Sequence, residues 1–119
     1  MNQAPPLSRT MQELFARLDS LRDLALESNA EIEKRNNEEA SSMVDYELAF
    51  ATAFLAASGP VKERECIAKQ QSVGLYRKHL EAVALRRSAT AAASTFHHDY
   101  EAIQALANAY NRELRVLGS

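Results

Sequence analysis

The sequence predicts an all-α protein, in which a long antiparallel helical hairpin of two to four helices assembles into a helical homo-oligomer. Three observations lead to this prediction. Helix breakers are scarce, because the 119 residues include only three Gly and three Pro. Apolar residues recur at the alternating spacings of a coiled coil. One strong turn signal, Ser58-Gly59-Pro60, divides the chain: Gly accepts the left-handed backbone after a helix, and Pro suits the first turn of the next.

The first helix is predicted over about residues 9–57, after a disordered lead-in at 1–7. Ser8 or Thr10 can cap it, and Thr10 with Glu13 forms a capping box. An apolar seam runs along the helix, is interrupted by the polar residues 33–42, and then resumes. Its members are Leu14, Leu18, Leu21, Ala25 and Ile32, followed by Met43, Tyr46, Phe50, Ala53 and Ala57. Residues 33–42 are therefore either a solvated helical stretch or a break.

The second helix is predicted over about residues 61–116, with a possible break at 88–95, where Ser and Thr lower the helix propensity. Residues 8–119 then form one helical domain. The middle of this helix is apolar on two sides. One stripe contains Cys66, Val73, Tyr76, Leu80 and Val83, and the other contains Ile67, Leu75 and Ala82. A helix that is apolar on two sides needs two neighbours, and this predicts self-association.

The composition favours a cytoplasmic protein outside the membrane. Cys66 is the single cysteine, so no internal disulfide can form, as is usual in a reducing compartment. No apolar run approaches the roughly 18 residues needed to cross a bilayer. The first residues lack the basic start and apolar core of a signal peptide.

Charge is unevenly distributed along the chain, whose net charge is −2. Residues 1–57 hold five basic and ten acidic side chains, whereas residues 61–95 hold seven basic and three acidic ones. The basic segment either lies against the acidic first helix or forms a nucleic-acid footprint. Tyr76, beside Arg77 and Lys78, is either a base-stacking ring or a core residue.

The sequence offers no catalytic, cofactor or metal site. His97 and His98 are adjacent on a helix and point about 100° apart, which suits solvent exposure better than one shared ion. Cys66 has no nearby histidine in the sequence and is interpreted as a small core residue. Phosphate-binding and nucleophile motifs are missing, so we expect a protein that is not an enzyme.

Residues 50–88, FATAFLAASGPVKERECIAKQQSVGLYRKHLEAVALRRS, resemble small helical proteins encoded by tailed bacteriophages. Over about residues 50–80 they are most similar to the UvsY-type recombination mediators. The resemblance rests on the SGP turn and on a set of residues after it: Lys62, Glu63, Gln70 or Gln71, Val73, Leu75, Arg77 and Lys78. The acidic first helix and the small number of lysines after the turn depart from that family's pattern.

The resemblance implies ring-like homo-oligomers joined through their C-terminal helices, binding of single-stranded DNA, and help in loading a recombinase onto strands coated with single-strand-binding protein. The oligomer interface would then involve Phe96, Tyr100, Ile103, Tyr110 and Leu114. The family's DNA-contacting basic pair would fall at Arg77 and Lys78, and reversing both charges should abolish binding.

Two hypotheses follow from the sequence. In the first, the protein is a non-enzymatic recombination mediator that binds single strands through Arg64, Lys69, Arg77, Lys78, Arg86 and Arg87. In the second, it is a phage-encoded adaptor or host-factor inhibitor that binds proteins and no nucleic acid. The acidic first helix or residues 33–42 would then form the surface that binds the protein partner.

Overall fold

The computed structural model describes residues 9–118, which form two long helices joined by a short turn. Helix α1 spans Arg9–Ala56 and helix α2 spans Val61–Leu117, with no strand among the described residues. The predicted all-α helical hairpin is confirmed. Residues 33–42 and 88–95 are both helical. The expected lead-in at 1–7 and the cap at Ser8 lie outside the described residues.

The turn between the helices follows the chemistry of its Gly and Pro. Gly59 has a φ of 109°, a backbone conformation that is strained for any residue with a side chain. The Pro60 carbonyl accepts a hydrogen bond from the Arg64 amide at 3.1 Å, which begins the first turn of α2. The Arg64 guanidinium reaches back to α1 and donates from Nε and Nη2 to the Phe54 carbonyl, each at 3.2 Å. This side chain therefore satisfies a carbonyl that the end of α1 leaves without a helical partner.

Covered positions recur along both helices at alternating spacings of three and four, and we call this stripe the seam. In α1 it runs through Met11, Leu14, Leu18, Leu21, Ala25, Ser28, Ile32, Arg35, Glu39, Ser42, Tyr46, Ala49 and Ala53. In α2 it runs through Ala68, Ser72, Leu75, His79, Ala82, Arg86, Ala89, Ala93, Phe96, Tyr100, Ile103, Ala107 and Tyr110. The seam thus passes through residues 33–42 without interruption, although the apolar pattern there is lost.

The chain divides into two compact units, each containing part of both helices. The first comprises residues 9–29 and 91–118 of the described chain, and the second comprises Ala30–Thr90. The core of the first unit contains Met11, Leu14 and Ala107, with Leu18, Ile103 and Tyr110 packed against it. In the second unit the buried hydrophobic residues are all alanines, namely Ala53, Ala68 and Ala82.

The start of α1 differs from the capping prediction. Arg9 is already helical, so Thr10 lies inside the first turn and is not the residue that caps it. Glu13 accepts a hydrogen bond from the Arg9 Nε at 3.1 Å. A pair of this kind, four residues apart on an exposed helix face, stabilises a helix by roughly 0.3–0.5 kcal/mol.

Candidate nucleic-acid interface

One side of the second unit carries a row of aromatic rings. Tyr46, Phe50 and Phe54 follow each other at a spacing of four on α1, with ring centroids 6.2 Å and 6.4 Å apart. Tyr76 of α2 extends the row, with its centroid 5.2 Å from that of Tyr46. At the other end the Arg64 guanidinium lies 4.3 Å from the centre of the Phe54 ring. These separations are typical of favourable aromatic and cation–π contacts.

Beside this row is a groove of about 360 Å³, lined by Tyr46, Lys69, Val73 and Tyr76. Tyr76 is 43% exposed and Val73 is 48% exposed, so both present apolar surface to solvent. We call this side, with its row of rings and its groove, the aromatic flank. A groove that combines ring surface with an ammonium group can hold a planar base and its phosphate.

Two of the six predicted DNA-binding residues are engaged within the hairpin. Arg64 binds the Phe54 carbonyl and ring, as described above. Arg86 lies in the seam and donates from Nε to Oε2 of Glu39 on α1. Both cations already have a partner in the folded chain, so neither is fully available to a phosphate.

Arg77 and Lys78 lie on two different faces of α2. At about 100° per residue, Arg77 is half a turn from the seam residue Arg86, and Lys78 is half a turn from Lys69. Arg77 therefore faces away from α1, and Lys78 lies on the side opposite the aromatic flank. The structure does not bring this predicted basic pair together with the Tyr76 ring.

The aromatic flank does gather three cations along α2. Lys62, Lys69 and Tyr76 are spaced by seven residues, and Arg87 follows Tyr76 by three full turns, so all four share one face. Lys69 and Arg87 belong to the predicted set, whereas Lys62 does not. Glu65, four residues before Lys69, is close enough on the helix to offset part of this positive charge.

A polar layer crosses the seam near residues 39–42. Ser42 donates its hydroxyl hydrogen to the Glu39 carbonyl at 2.8 Å, and its oxygen lies 3.0 Å from Nδ1 of His79. Ser42 has a single hydroxyl hydrogen, so while it donates to the Glu39 carbonyl it can only accept a hydrogen bond from His79. One turn away, Arg35 donates hydrogen bonds to Glu31 and Glu38. These bonds raise the pKa of Arg35, and the bond to Glu38 has the larger effect.

The opposite side of the second unit is rich in leucine and alanine. It carries a groove of about 550 Å³ lined by Asp45, Leu48, Ala49, Thr52, Ala53, Ala56, Gln71 and Leu75. We call this side, together with the adjacent Leu55, the leucine flank. Leu48 is 66% exposed and Leu55 is 75% exposed. The sequence interpretation did not find this surface, although the spacing of seven between the two leucines was a usable signal.

The residues predicted to join subunits contribute to the hairpin itself. Ile103 and Tyr110 pack against the core that contains Met11 and Leu14, and Phe96 and Tyr100 are half-buried in the seam. Leu114 is 42% exposed, which is more than the other four predicted interface residues. These side chains therefore have less area to offer another subunit than the sequence suggested.

Cys66 is exposed, so its interpretation as a core residue is wrong. The seam of α2 passes through Ala68, and Cys66 is about 200° away on the helix, which places it on the uncovered side. His97 is exposed and its Nε2 lies 3.0 Å from the Glu101 carboxylate. Among residues 9–118, no group of three or more His, Cys, Asp or Glu side chains is placed to hold a metal ion.

Neither described helix has an apolar stretch of the length and hydropathy that would let it span a membrane. Comparison of the chain with protein-family models, curated proteins and solved structures gave no match.

Proposed function

We propose that this protein is a non-enzymatic, self-associating helical hairpin that binds single-stranded DNA along the aromatic flank and acts as a recombination mediator. The observation that carries this proposal is the groove formed by Tyr46, Lys69, Val73 and Tyr76. It joins an exposed ring to an ammonium group on the face of α2 that also carries Lys62 and Arg87. Stacking together with phosphate contacts holds single strands without sequence preference.

The proposed interface is narrower than the six residues predicted from the sequence. Lys69 and Arg87 remain from that set, Lys62 joins them, and Tyr76 supplies the ring. Arg64 and Arg86 act mainly within the hairpin, where each has a partner on α1. A strand that neutralises three cations on each chain should give a modest affinity with a clear dependence on salt.

The mediator role is the part of the proposal that the phage-protein resemblance supplies. A mediator must hold the strand without consuming it and release it to a recombinase. Weak contacts repeated over several subunits suit this task, since avidity raises the overall affinity while each contact stays reversible. Shortening of the lag before a recombinase becomes active on strands coated with single-strand-binding protein would test this role directly.

DNA binding is tested by fluorescence anisotropy with a labelled oligothymidylate of about 30 nucleotides, enough for several binding sites. The decisive variant is Lys69→Glu/Arg87→Glu, which should weaken binding at least tenfold because both cations share the face of Tyr76. The control compares single variants: Arg77→Glu reverses a cation that lies off both flanks and should weaken binding far less than Lys69→Glu.

Tyr76→Leu tests the stacking contribution. Removing one base–ring stack should weaken binding by about 5-fold or more, since each such stack contributes roughly 1–3 kcal/mol. The slope of log affinity against log salt for the unaltered protein should be about −2 for three phosphate contacts. Equal losses for Lys69→Glu and Arg77→Glu would refute the proposed site, and the absence of binding at low salt would refute DNA binding altogether.

A second function, a protein–protein adaptor without nucleic acid, is favoured by one observation. Leu48 and Leu55 expose more than half of their surface on a flank that has no role in the DNA proposal. Apolar surface of this kind commonly marks a site of protein association. Absence of DNA binding, together with an unlike protein held by the leucine flank, would favour this function.

A further inference from the structure

The leucine flank combines a projection and a recess on one surface. Leu48 and Leu55, seven residues apart, form a ridge along α1. Beside them Ala49, Ala53 and Ala56 form the floor of the groove, with Leu75 and Gln71 of α2 as its far wall. Leucine side chains that project beside a row of alanines provide the knobs and holes from which helices build a packed interface.

The packing inside the second unit leaves large apolar side chains exposed. The residues that are buried between its two helices are small, namely Ala53, Ala68, Ala82 and Ser72. Its large apolar side chains lie mostly outside, including Val44, Leu48, Leu55, Val73 and Leu80. Large apolar side chains that remain exposed in this way are available for a further contact.

The charges on this flank suit a copy of the same surface. Asp45 lines the groove, and Lys78 lies on the same side of α2, seven residues after Gln71. Charges of both signs therefore lie on this flank. When the flank faces its own copy, an acid of one chain can be placed opposite a base of the other.

We infer that the leucine flank is a self-association surface that takes the leucine flank of a second copy of this chain, so that two hairpins form a four-helix bundle. Contact between identical surfaces requires each to carry both a projection and a matching recess, and the Leu48–Leu55 ridge beside the alanine floor provides both. This inference rests on the self-association in the proposed function and names its surface.

The aromatic flank lies on the other side of the same two helices and stays free in such a pair. Tyr46, Lys69 and Tyr76 line a separate groove. Pairing through the leucine flank would leave one aromatic flank of each copy accessible. Self-association and DNA binding therefore involve different residues and can be lost independently.

Sedimentation velocity on the full chain tests the inference over concentrations from about 1 to about 100 µM, a range that resolves micromolar association. Leu48→Glu/Leu55→Glu should weaken association by at least about 100-fold, because it places four carboxylates in the paired surface. Both positions are exposed in the single chain, so helicity measured by circular dichroism should be unchanged.

The matched control is Val73→Glu/Leu80→Glu, which places the same charges at two exposed apolar positions of α2 on the aromatic side. It should leave the mass in solution unchanged and should weaken DNA binding. A second measurement uses Thr52→Cys in a Cys66→Ser background, where the new thiol lies in the leucine groove. Mild oxidation should join two chains, and Leu48→Glu/Leu55→Glu should suppress the cross-link.

Each result separates the inference from the DNA proposal. A protein that stays a monomer at the highest concentration but still binds DNA overturns the inference and leaves the DNA site intact. A dimer that Leu48→Glu/Leu55→Glu disrupts but that binds no DNA supports the inference and overturns the DNA proposal. Association that survives Leu48→Glu/Leu55→Glu, or is lost equally in the control, shows that another surface joins the chains.

Discussion

Arg86 of α2 donates from its Nε to the Glu39 carboxylate of α1, so an ion pair lies in the seam where a coiled coil normally has apolar residues. The two side chains keep 30% and 26% of their surface exposed. Water therefore still reaches the pair and weakens its attraction, while both ions lose part of their hydration. We expect such a pair to contribute more to the register of the helices than to their stability.

The first prediction concerns this pair. Arg86→Leu alone should lower the free energy of unfolding by about 1–2 kcal/mol, because Glu39 is left half-buried without its partner. Glu39→Leu/Arg86→Leu should recover that loss and reach or exceed the original stability, since removing both ions leaves no unpaired charge in the seam. Urea unfolding followed by circular dichroism at one fixed protein concentration measures both. Equal losses in the single and double variants would contradict this account.

The second prediction compares two glycines. Gly59→Ala should destabilise the protein by about 1 kcal/mol or more, because its φ of 109° disfavours a side chain and the new Cβ would lie 2.9 Å from the Glu63 carboxylate. Gly74→Ala should stabilise it by roughly 0.5–1 kcal/mol, because Gly74 is inside α2 with open space around its Cα. Thermal unfolding of both variants measures the difference. Shifts of the same sign would be inconsistent with the turn geometry.

The third prediction concerns Ser72, which is fully buried in the seam and donates its hydroxyl to the Ala68 carbonyl at 2.6 Å. Ser72→Ala should raise the stability by about 0.5 kcal/mol, because alanine is the better helix former and no donor is left unpaired. Ser88→Ala, at an exposed position of the same helix, isolates the effect of propensity. A loss of stability specific to Ser72→Ala would show that its hydroxyl is needed for packing.

The fourth prediction concerns Arg64. Arg64→Lys should lower the stability by about 1 kcal/mol, because an ammonium group cannot bind the Phe54 carbonyl with two nitrogens while also lying over the Phe54 ring. Arg87→Lys makes the same chemical change at an exposed site and should have almost no effect on unfolding. Equal shifts in the two midpoints would mean that Arg64 has no special role at the turn.

The seam shows how far the sequence could predict the fold. The apolar spacing predicted the helices, and Gly59-Pro60 predicted the turn, because both signals are local. Residues 33–42 remained ambiguous because a seam position can be occupied by a polar residue when the facing helix supplies a partner. Glu39 finds Arg86 and Ser42 finds His79, each more than 35 residues away in sequence. No local sequence pattern indicates a polar pair between residues so far apart in the chain.

The candidate site was predicted only in part. The excess of basic residues between 61 and 95 identifies the cationic side chains but does not show which residues contact them in the fold. The sequence predicts Arg64 and Arg86 as DNA-binding residues, yet each has a partner on α1. The spacing of four among Tyr46, Phe50 and Phe54 was visible in the sequence and predicts one shared face. The contact of Tyr46 with Tyr76, which brings the row beside Lys69, depends on how the two helices align.

By itself, the sequence determined that this chain is helical on both sides of one turn, where that turn falls, and that apolar residues recur along each side of it. These properties follow from backbone propensities and from periodicity within a single helix. The tertiary structure alone decided which stripe becomes the seam, which cations acquire partners, and which leucines remain exposed. The physical reason is that burial and ion pairing depend on the register of two segments distant in sequence, and a shift of one helical turn would change every one of those contacts.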